Sequence, residues 1–184
     1  KIPSIWKTSI GFTKDFDLNR WSLGDGWAVR GEYVHSEVES AIGWVDLNMA
    51  KRQSGTAPDG RPVYSGPNGS QVVLMVTNFK GGKTDQATVG VNKYWSEGWA
   101  EGLGLDLSYT FVDSEDVHPG TSSVAASNFG QVAVFDPNHP EVATSNYEIR
   151  HSTKLNLSYH RNFFGDYRTS FNLFGERRSG LPFS

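Results

Sequence analysis

The chain contains no cysteine, which excludes disulfide bonds, thiolate nucleophiles and cysteine-ligated metals. It also has no run approaching about 18 consecutive apolar residues, the length that a membrane-spanning helix needs. An excess of positive charge is missing as well, because 17 Lys and Arg stand against 20 Asp and Glu, for a net charge of −3. No basic field therefore points to nucleic acid or to an anionic surface.

Aromatic residues and glycine are plentiful instead. Hydrophobic residues make up 37% of the sequence, yet aromatic residues reach 13%, with 6 Trp, and there are 20 Gly. Antiparallel barrels produce this combination, because half of each strand faces water and the other half faces lipid or a core. The chain opens at Lys1 without an initiator Met or an apolar signal region, so we expect an internal or processed segment.

The clearest strand signal lies in residues 102–111. Apolar and polar or small residues alternate there: Leu103, Leu105, Leu107, Tyr109 and Phe111 against Gly102, Gly104, Asp106, Ser108 and Thr110. Successive side chains on a strand point to opposite faces, so one face is apolar and the other is polar or bare. Soluble strands are usually about six residues long, whereas a tilted strand crosses a bilayer in about ten, which favours a membrane strand.

The same alternation recurs elsewhere, and the connections alternate in length. Further strands are predicted at residues 5–15, 27–44, 71–77 with 87–91, 154–160 and 168–173. Short turns are predicted at 16–26, 94–99 and 162–167, and long polar loops at 49–70 and 113–147, with a small hairpin between 61 and 73. No segment predicts a helix of any length. The predicted fold class is all-β: an antiparallel up-and-down meander of about six strands, part of a transmembrane β-barrel.

Large aromatic residues flank each short turn. They are Phe16, Trp21 and Trp27 at the first, Tyr94, Trp95 and Trp99 at the second, and Phe163, Phe164 and Tyr167 at the third. Trp and Tyr prefer a membrane–water interface because their rings are amphipathic. The pattern predicts an aromatic girdle on the turn side of a barrel; the alternative is that these rings plug the end of a soluble sandwich core.

No catalytic or metal site stands out in the sequence. Residues 80–84 resemble a phosphate loop, but Thr77 stands where that motif needs glycine, and the following segment alternates as a strand. The acidic residues 113–118 lack calcium-loop spacing, and the five histidines share no metal-ligand spacing. We therefore expect neither enzymatic activity nor a cofactor.

Polar strand residues are the remaining site candidates. Asp106, Asn156 and His160 fall among the polar positions of their strands and would wet a barrel lumen. Arg150 and His151 directly precede a strand and could line the lumen or bind an anionic ligand, although solvated strand ends are commoner. These five residues form the predicted lumen- or ligand-facing set.

Several segments taken together resemble a known family. They are residues 59–64 (DGRPVY), 120–129 (GTSSVAASNF), 145–151 (SNYEIRH), 171–174 (FNLF) and 179–184 (SGLPFS). In this order the segments resemble the barrel of TonB-dependent outer-membrane receptors, particularly the Oar-like subgroup. The resemblance extends over essentially the whole chain.

This resemblance implies a receptor in the outer membrane of a Gram-negative cell envelope that takes up a substrate. Such receptors have a barrel of about 22 strands around a plug domain, with a short N-terminal box that engages TonB. Neither plug nor box is visible here, so residues 1–184 are expected to be a barrel segment that lacks them and the remaining strands. The implied partners are the lipid bilayer, the rest of the barrel, the plug, a small-molecule or peptide substrate of unknown identity, and TonB through the missing part only.

A soluble β-sandwich that binds carbohydrate through exposed Trp is the alternative function. Such a module would carry its Trp side chains in the long loops or on one strand face. Here the Trp residues lie mainly at short turns and strand starts, which favours the barrel.

Overall fold

A computed structural model describes residues 1–21, 23–64, 72–118, 120–130 and 134–182. The strands are β1 Ser4–Phe16, β2 Trp27–Asp46, β3 Gln53–Thr56, β4 Pro62–Tyr64, β5 Leu74–Phe79, β6 Lys83–Tyr94, β7 Leu103–Asp116, β8 Ala143–Thr144, β9 His151–Phe164 and β10 Tyr167–Arg178. Helical structure in these residues comprises the short α1 Ala125–Gly130 and single 3-10 turns at Asn19–Trp21 and Met49–Arg52. The chain is all-β, as its alternating pattern predicts.

The main sheet is an antiparallel meander in the order β1-β2-β6-β7-β9-β10. β5 extends β6 rather than adding a strand, because both pair with β2 in one register: Ala41 lies opposite Phe79, and Glu37 lies opposite Lys83. Gly81 and Gly82 interrupt this strand with φ angles of 109° and 103°, which L side chains rarely adopt. The prediction of about six strands in a meander is confirmed.

The connections between long strands alternate between the two ends of the sheet. Residues 17–26, 95–102 and 165–166 join strands at one end, hereafter the turn end. Residues 47–73 and 117–150 join them at the other, the loop end. The predicted alternation of short turns and long loops is thus confirmed. The hairpin within the first long loop pairs β3 with β4, whereas most of the predicted hairpin at 61–73 lies outside the described residues.

The register gathers the apolar side chains on one face of the sheet. Leu107 of β7, for example, lies between Val91 of β6 and Leu155 of β9. This apolar face carries Trp6, Ile10, Phe12, Phe16, Val29, Tyr33, Ala87, Val89, Val91, Leu103, Leu105, Leu107, Tyr109, Phe111, Leu155, Leu157, Tyr159, Phe163, Phe171 and Leu173. The opposite, polar face carries mostly Ser, Thr, Asn, Gln and charged residues. Alternation along each strand and pairing across strands therefore produce an amphipathic sheet.

Nothing among the described residues packs over the apolar face. Trp6 and Ile10 on this face are each 71% exposed. Phe174, on the polar face, is 64% exposed. The buried apolar residues are Met49, Ala100 and Val117, which lie outside the strands. Within the described chain, β1 and β10 each have one long neighbour, so the sheet is open. None of the described helices is long and apolar enough to cross a membrane. The chain therefore stabilises itself through strand pairing and leaves its largest apolar surface uncovered.

Candidate functional site

An ion pair spans three strands at the centre of the polar face. The Arg30 guanidinium on β2 donates two hydrogen bonds of 3.0 Å to the Asp106 carboxylate on β7. The strand between them carries Gly90, where an added Cβ would lie 2.7 Å from Arg30 Nε. The arginine side chain thus lies flat across a glycine, which has no side chain to block its path to the carboxylate.

A second polar pair crosses a glycine in the same way. The Tyr94 hydroxyl on β6 lies 2.8 Å from His160 Nε2 on β9, and the two rings stack at 5.5 Å. The intervening residue on β7 is Gly104, whose added Cβ would lie 3.7 Å from the Tyr94 ring and 2.5 Å from Ser158 Oγ. Glycine on the middle strand therefore permits contacts between side chains two strands apart.

Hydroxyl groups and an amide complete this face. Thr88 and Thr110 hydroxyls lie 3.1 Å apart, between the ion pair and the loop end. Asn156 lies directly opposite Asp106 in the β7–β9 register. The structure therefore brings together Asp106, Asn156 and His160 on one face, and their contact with a lumen or ligand stays a prediction.

The ion pair predicts a measurable coupling between Gly90 and Asp106. Gly90→Ala should displace the Arg30 side chain, because its new Cβ would overlap the guanidinium. We expect Asp106→Asn to cost about 0.2–1 kcal/mol with Gly90 present, a range typical of partly exposed ion pairs, and almost nothing in the Gly90→Ala background. Denaturant titrations of the four proteins measure this cycle.

Gly11→Ala provides the control for this cycle. Gly11 is also on the polar face, but its added Cβ would be no nearer than 3.4 Å to any atom. It should leave the cost of Asp106→Asn unchanged. If Asp106→Asn costs the same with Gly90 as in the Gly90→Ala background, the arginine does not depend on the glycine.

Arg150 occupies the loop end and is already paired. Its Nε donates to Glu148 at 2.8 Å, and its terminal nitrogen donates to Asp113 at 3.2 Å. Glu148 is only 4% exposed and also accepts the Ser114 N–H at 2.7 Å. Two carboxylates thus neutralise Arg150, which leaves it little net charge to offer an anionic ligand.

His151 lies on the apolar face, apart from the other four predicted residues. It is opposite Phe111 in the register, and its Nδ1 lies 2.7 Å from the Tyr109 hydroxyl. Alternation from Asn156 back along β9 places position 151 on the face opposite to Asn156. The sequence signal for this position of His151 is the alternation of faces along β9. It is easily missed, because Arg150 and His151 are adjacent in the sequence.

A buried carboxylate joins the two long loops at the end of β2. Asp46 has a fully buried side chain that binds Arg52 and accepts the N–H groups of Asn48 and Val73 at 3.0 and 3.1 Å. Asn138 of the second long loop accepts the Asp46 N–H at 2.8 Å and donates to the Asp46 carbonyl at 2.9 Å. The sequence gives no sign of this junction, because no local pattern connects residues 92 positions apart.

A tyrosine–carboxylate contact adds to the loop junction. The Tyr64 hydroxyl donates to Asp136 at 3.0 Å. Burial, and then this carboxylate, raise the pKa of Tyr64 above its ordinary value. Burial alone would raise the pKa of Asp136, but hydrogen bonds from His139, the Asn138 N–H and Tyr64 lower it overall. Asp136 is therefore the ionised partner of this contact at neutral pH, and Tyr64 is the neutral donor.

His118 lies near the start of the second long loop, inside an aromatic cluster. Its ring lies 6.0 Å from the Trp44 ring and 5.7 Å from the Phe79 ring. Neither ring nitrogen has a hydrogen-bond partner within the described part of the chain. Burial lowers the pKa of His118, and the nearby Asp116 carboxylate offsets this only in part.

The lowered pKa of His118 predicts that acid opens this cluster. An unfolded histidine has a pKa of about 6.5, so the open loop binds a proton more readily than the packed one. Stability is therefore complete above about pH 6.5 and is lost as pH falls, with up to about ten-fold more opening per pH unit. Hydrogen exchange of the segment around residue 118, corrected for the intrinsic pH dependence, measures it.

Two variants control the acid-opening experiment. His118→Phe should abolish the acid response, whereas His139→Gln should keep it, because His139 has an 84% exposed side chain. Acid opening that persists in His118→Phe would assign the response to another group.

Among the described residues, no group of three or more His, Cys, Asp or Glu side chains could hold a metal ion. Comparison of this chain with protein-family models, with curated proteins and with solved structures gave no match.

Proposed function

We propose that the chain is a wall and loop segment of an outer-membrane receptor or transporter barrel for TonB-dependent substrate uptake. Its apolar face contacts lipid, and its polar face, with Arg30, Asp106, Asn156 and His160, faces a wet lumen. The loop end is extracellular, because barrels of this kind carry long loops outside and short turns on the periplasmic side. The TonB dependence follows from the sequence resemblance alone.

The observation that carries this proposal is the slant of the apolar band across the strands. On β1 its midpoint lies between Ile10 and Phe12, which the registers bring level with residues 109–111 of β7. On β10 its midpoint lies between Phe171 and Leu173, level with residues 103–105 of β7. The band therefore shifts by about six residues, or about 20 Å, over five strand spacings of about 4.8 Å each.

With that shift, the strands are inclined by about 40° to a line drawn in the sheet perpendicular to the long axis of the band. Strands of outer-membrane barrels are tilted by about 35–45° from the membrane normal, so a level lipid layer would cover this slanted band evenly. On β1 the apolar residues of this face, from Trp6 to Phe16 with Thr8 and Lys14 among them, extend over about 34 Å along the strand, or about 26 Å in height at that tilt. The apolar surface of an outer-membrane barrel is about 25 Å tall.

The turn end of the band has the features of a membrane interface. Lys93 is on the apolar face but is only 5% exposed, because its ammonium group donates to the Asp25 carbonyl in the adjacent turn. It also lies 5.4 Å from the Trp95 ring, and Trp27 packs edge-on against Trp95 at 5.7 Å. A lysine that turns away from the apolar band toward polar backbone, beside Trp rings, is typical of an interfacial belt.

The loop end of the band has a matching belt of tyrosines. The Tyr33 hydroxyl donates to Asp85 at 2.5 Å, and the Tyr109 hydroxyl meets His151 at 2.7 Å. Both rings lie within the band, while their hydroxyls reach Asp85 and His151, each one row nearer the loop end. This arrangement supports a second interface, which bounds the apolar band on the extracellular side.

Membrane retention tests this proposal directly. After washes of the cell envelope with high salt and with carbonate, we expect the protein to stay in the outer-membrane fraction, because an integral barrel is held by its apolar surface. A peripheral outer-membrane protein serves as the control for release. Full release of this protein into the soluble fraction would overturn the proposal and favour the soluble carbohydrate-binding sandwich.

A further inference from the structure

A second polar site lies outside the polar face, at the loop end of the last three strands. It is a depression of about 360 Å³ lined by Tyr109, His151, Thr153, Arg177, Arg178 and Ser179. Tyr109, Thr153 and Arg177 form one row across β7, β9 and β10, so the depression opens on the apolar face. The next row toward the turn end contains Leu155 and Gly175, where the apolar band begins.

The charge of this depression is positive and uncompensated. Among the residues that the structure describes, no carboxylate lines it. Within the described chain, neither Arg177 nor Arg178 makes an ion pair, whereas Arg30 and Arg150 both bind carboxylates. On β10, Arg177 lies on the apolar face and Arg178 on the polar face, so the Arg177 guanidinium is the one available in the depression for an anion that the described residues do not supply.

The other lining residues are held in place by hydrogen bonds. Tyr109 binds the His151 ring at 2.7 Å, and Ser179 Oγ accepts the His151 N–H at 3.2 Å. The Ser179 N–H in turn donates to the His151 carbonyl at 2.8 Å. These bonds fix the end of β10, which carries Arg177, against β9, and this reduces the ordering cost of binding a ligand.

We infer that this depression binds the phosphate of an anionic lipid headgroup in the outer leaflet. This inference rests on the proposed membrane location of the chain. Arginine forks match phosphate oxygens with paired hydrogen bonds. The site lies just beyond the apolar band, at headgroup depth, and Leu155, Leu157 and Leu173 continue below it as a surface for acyl chains. A soluble phosphate has no acyl chain to contact these leucines, so the occupant is a lipid.

The test uses the protein inserted into vesicles of phosphatidylcholine with a minor fraction of phosphatidylglycerol. After extraction into mild detergent, mass spectrometry of the retained lipid should show phosphatidylglycerol enriched over its share in the vesicle. Arg177→Gln should reduce this enrichment by about five-fold. Lys154→Gln removes a cation at the same height on the polar face and should leave the enrichment unchanged.

The outcomes separate this inference from the proposed function. Flotation with pure phosphatidylcholine vesicles tests insertion alone, and failure to float would overturn the proposed function together with the lipid site. Flotation without enrichment of phosphatidylglycerol, or equal enrichment in Arg177→Gln, would overturn only the lipid site. Loss of the bound lipid on addition of inorganic phosphate would overturn the lipid assignment in favour of a soluble anion.

Discussion

Leu107→Arg is expected to destabilise the membrane-inserted protein by about 2–4 kcal/mol, the cost of a cation on the lipid face at mid-bilayer. Leu107 lies at the middle of the apolar band on β7, between Val91 and Leu155, and is 40% exposed in the open sheet. An arginine there has no interface or carboxylate within easy reach. Urea titration of the protein in vesicles measures the change in the free energy of unfolding.

Two variants show whether the surface around Leu107 is lipid or a packed core. Leu103→Arg, at the turn-end edge of the band, should cost only about 0–1 kcal/mol because the side chain can reach the interface. Leu107→Phe should be tolerated, because acyl chains move aside, whereas a close-packed core loses about 1–3 kcal/mol to overpacking. If Leu107→Phe unfolds the protein as severely as Leu107→Arg, the apolar face is a protein interior.

Gly102→Ala should be the most damaging alanine substitution in the short turns. Gly102 has φ of 85°, and an added Cβ would lie 2.0 Å from the carbonyl oxygen of His160. The Gly102 carbonyl also accepts the His160 N–H at 3.0 Å, so the two backbones cannot separate without losing that bond. Both the strained φ and the clash therefore act against alanine.

Gly98→Ala separates these two contributions. Gly98 lies in the same turn with φ of 82°, but its added Cβ would meet no atom within 4 Å. It should cost about 1–2 kcal/mol for the left-handed backbone alone. Gly102→Ala should cost about 1–3 kcal/mol more, through displacement of His160. Equal unfolding free energies for the two variants would mean that β9 does not approach the turn as closely as described.

The fold could be predicted where neighbouring residues determine it. The alternation of residues 103–111 and the glycine- and proline-rich connections depend on local backbone preferences, and both were confirmed. The continuity of β5 with β6 could not be predicted, because Gly81 and Gly82 resemble a turn until β2 is seen to pair on both sides of them.

The candidate site could be predicted only in part, for a related reason. The parity of each strand placed Asp106 and Asn156 on the polar face. The partners of these residues depend on the register between strands, which the pattern of a single strand does not contain. Arg30 and Asp106, for example, are 76 positions apart in the sequence, and Arg30 reaches Asp106 over Gly90. The strand register also shows that Leu105 lies opposite Lys93, near the turn end, whereas Leu107 lies opposite Val91 at the middle of the band.

The meander order also has a consequence for how the chain assembles. Each long strand pairs only with the long strands next to it in the chain, so no strand must wait for a distant segment before it can form. The β9–β10 hairpin, closed by residues 165–166, has the smallest entropic cost of closure and should nucleate first. Closure of the long connections 47–73 and 117–150 has a larger entropic cost, although this cost increases only slowly with loop length. Pulse-labelled hydrogen exchange should therefore protect the carboxyl-terminal hairpin before the strands that flank the long loops.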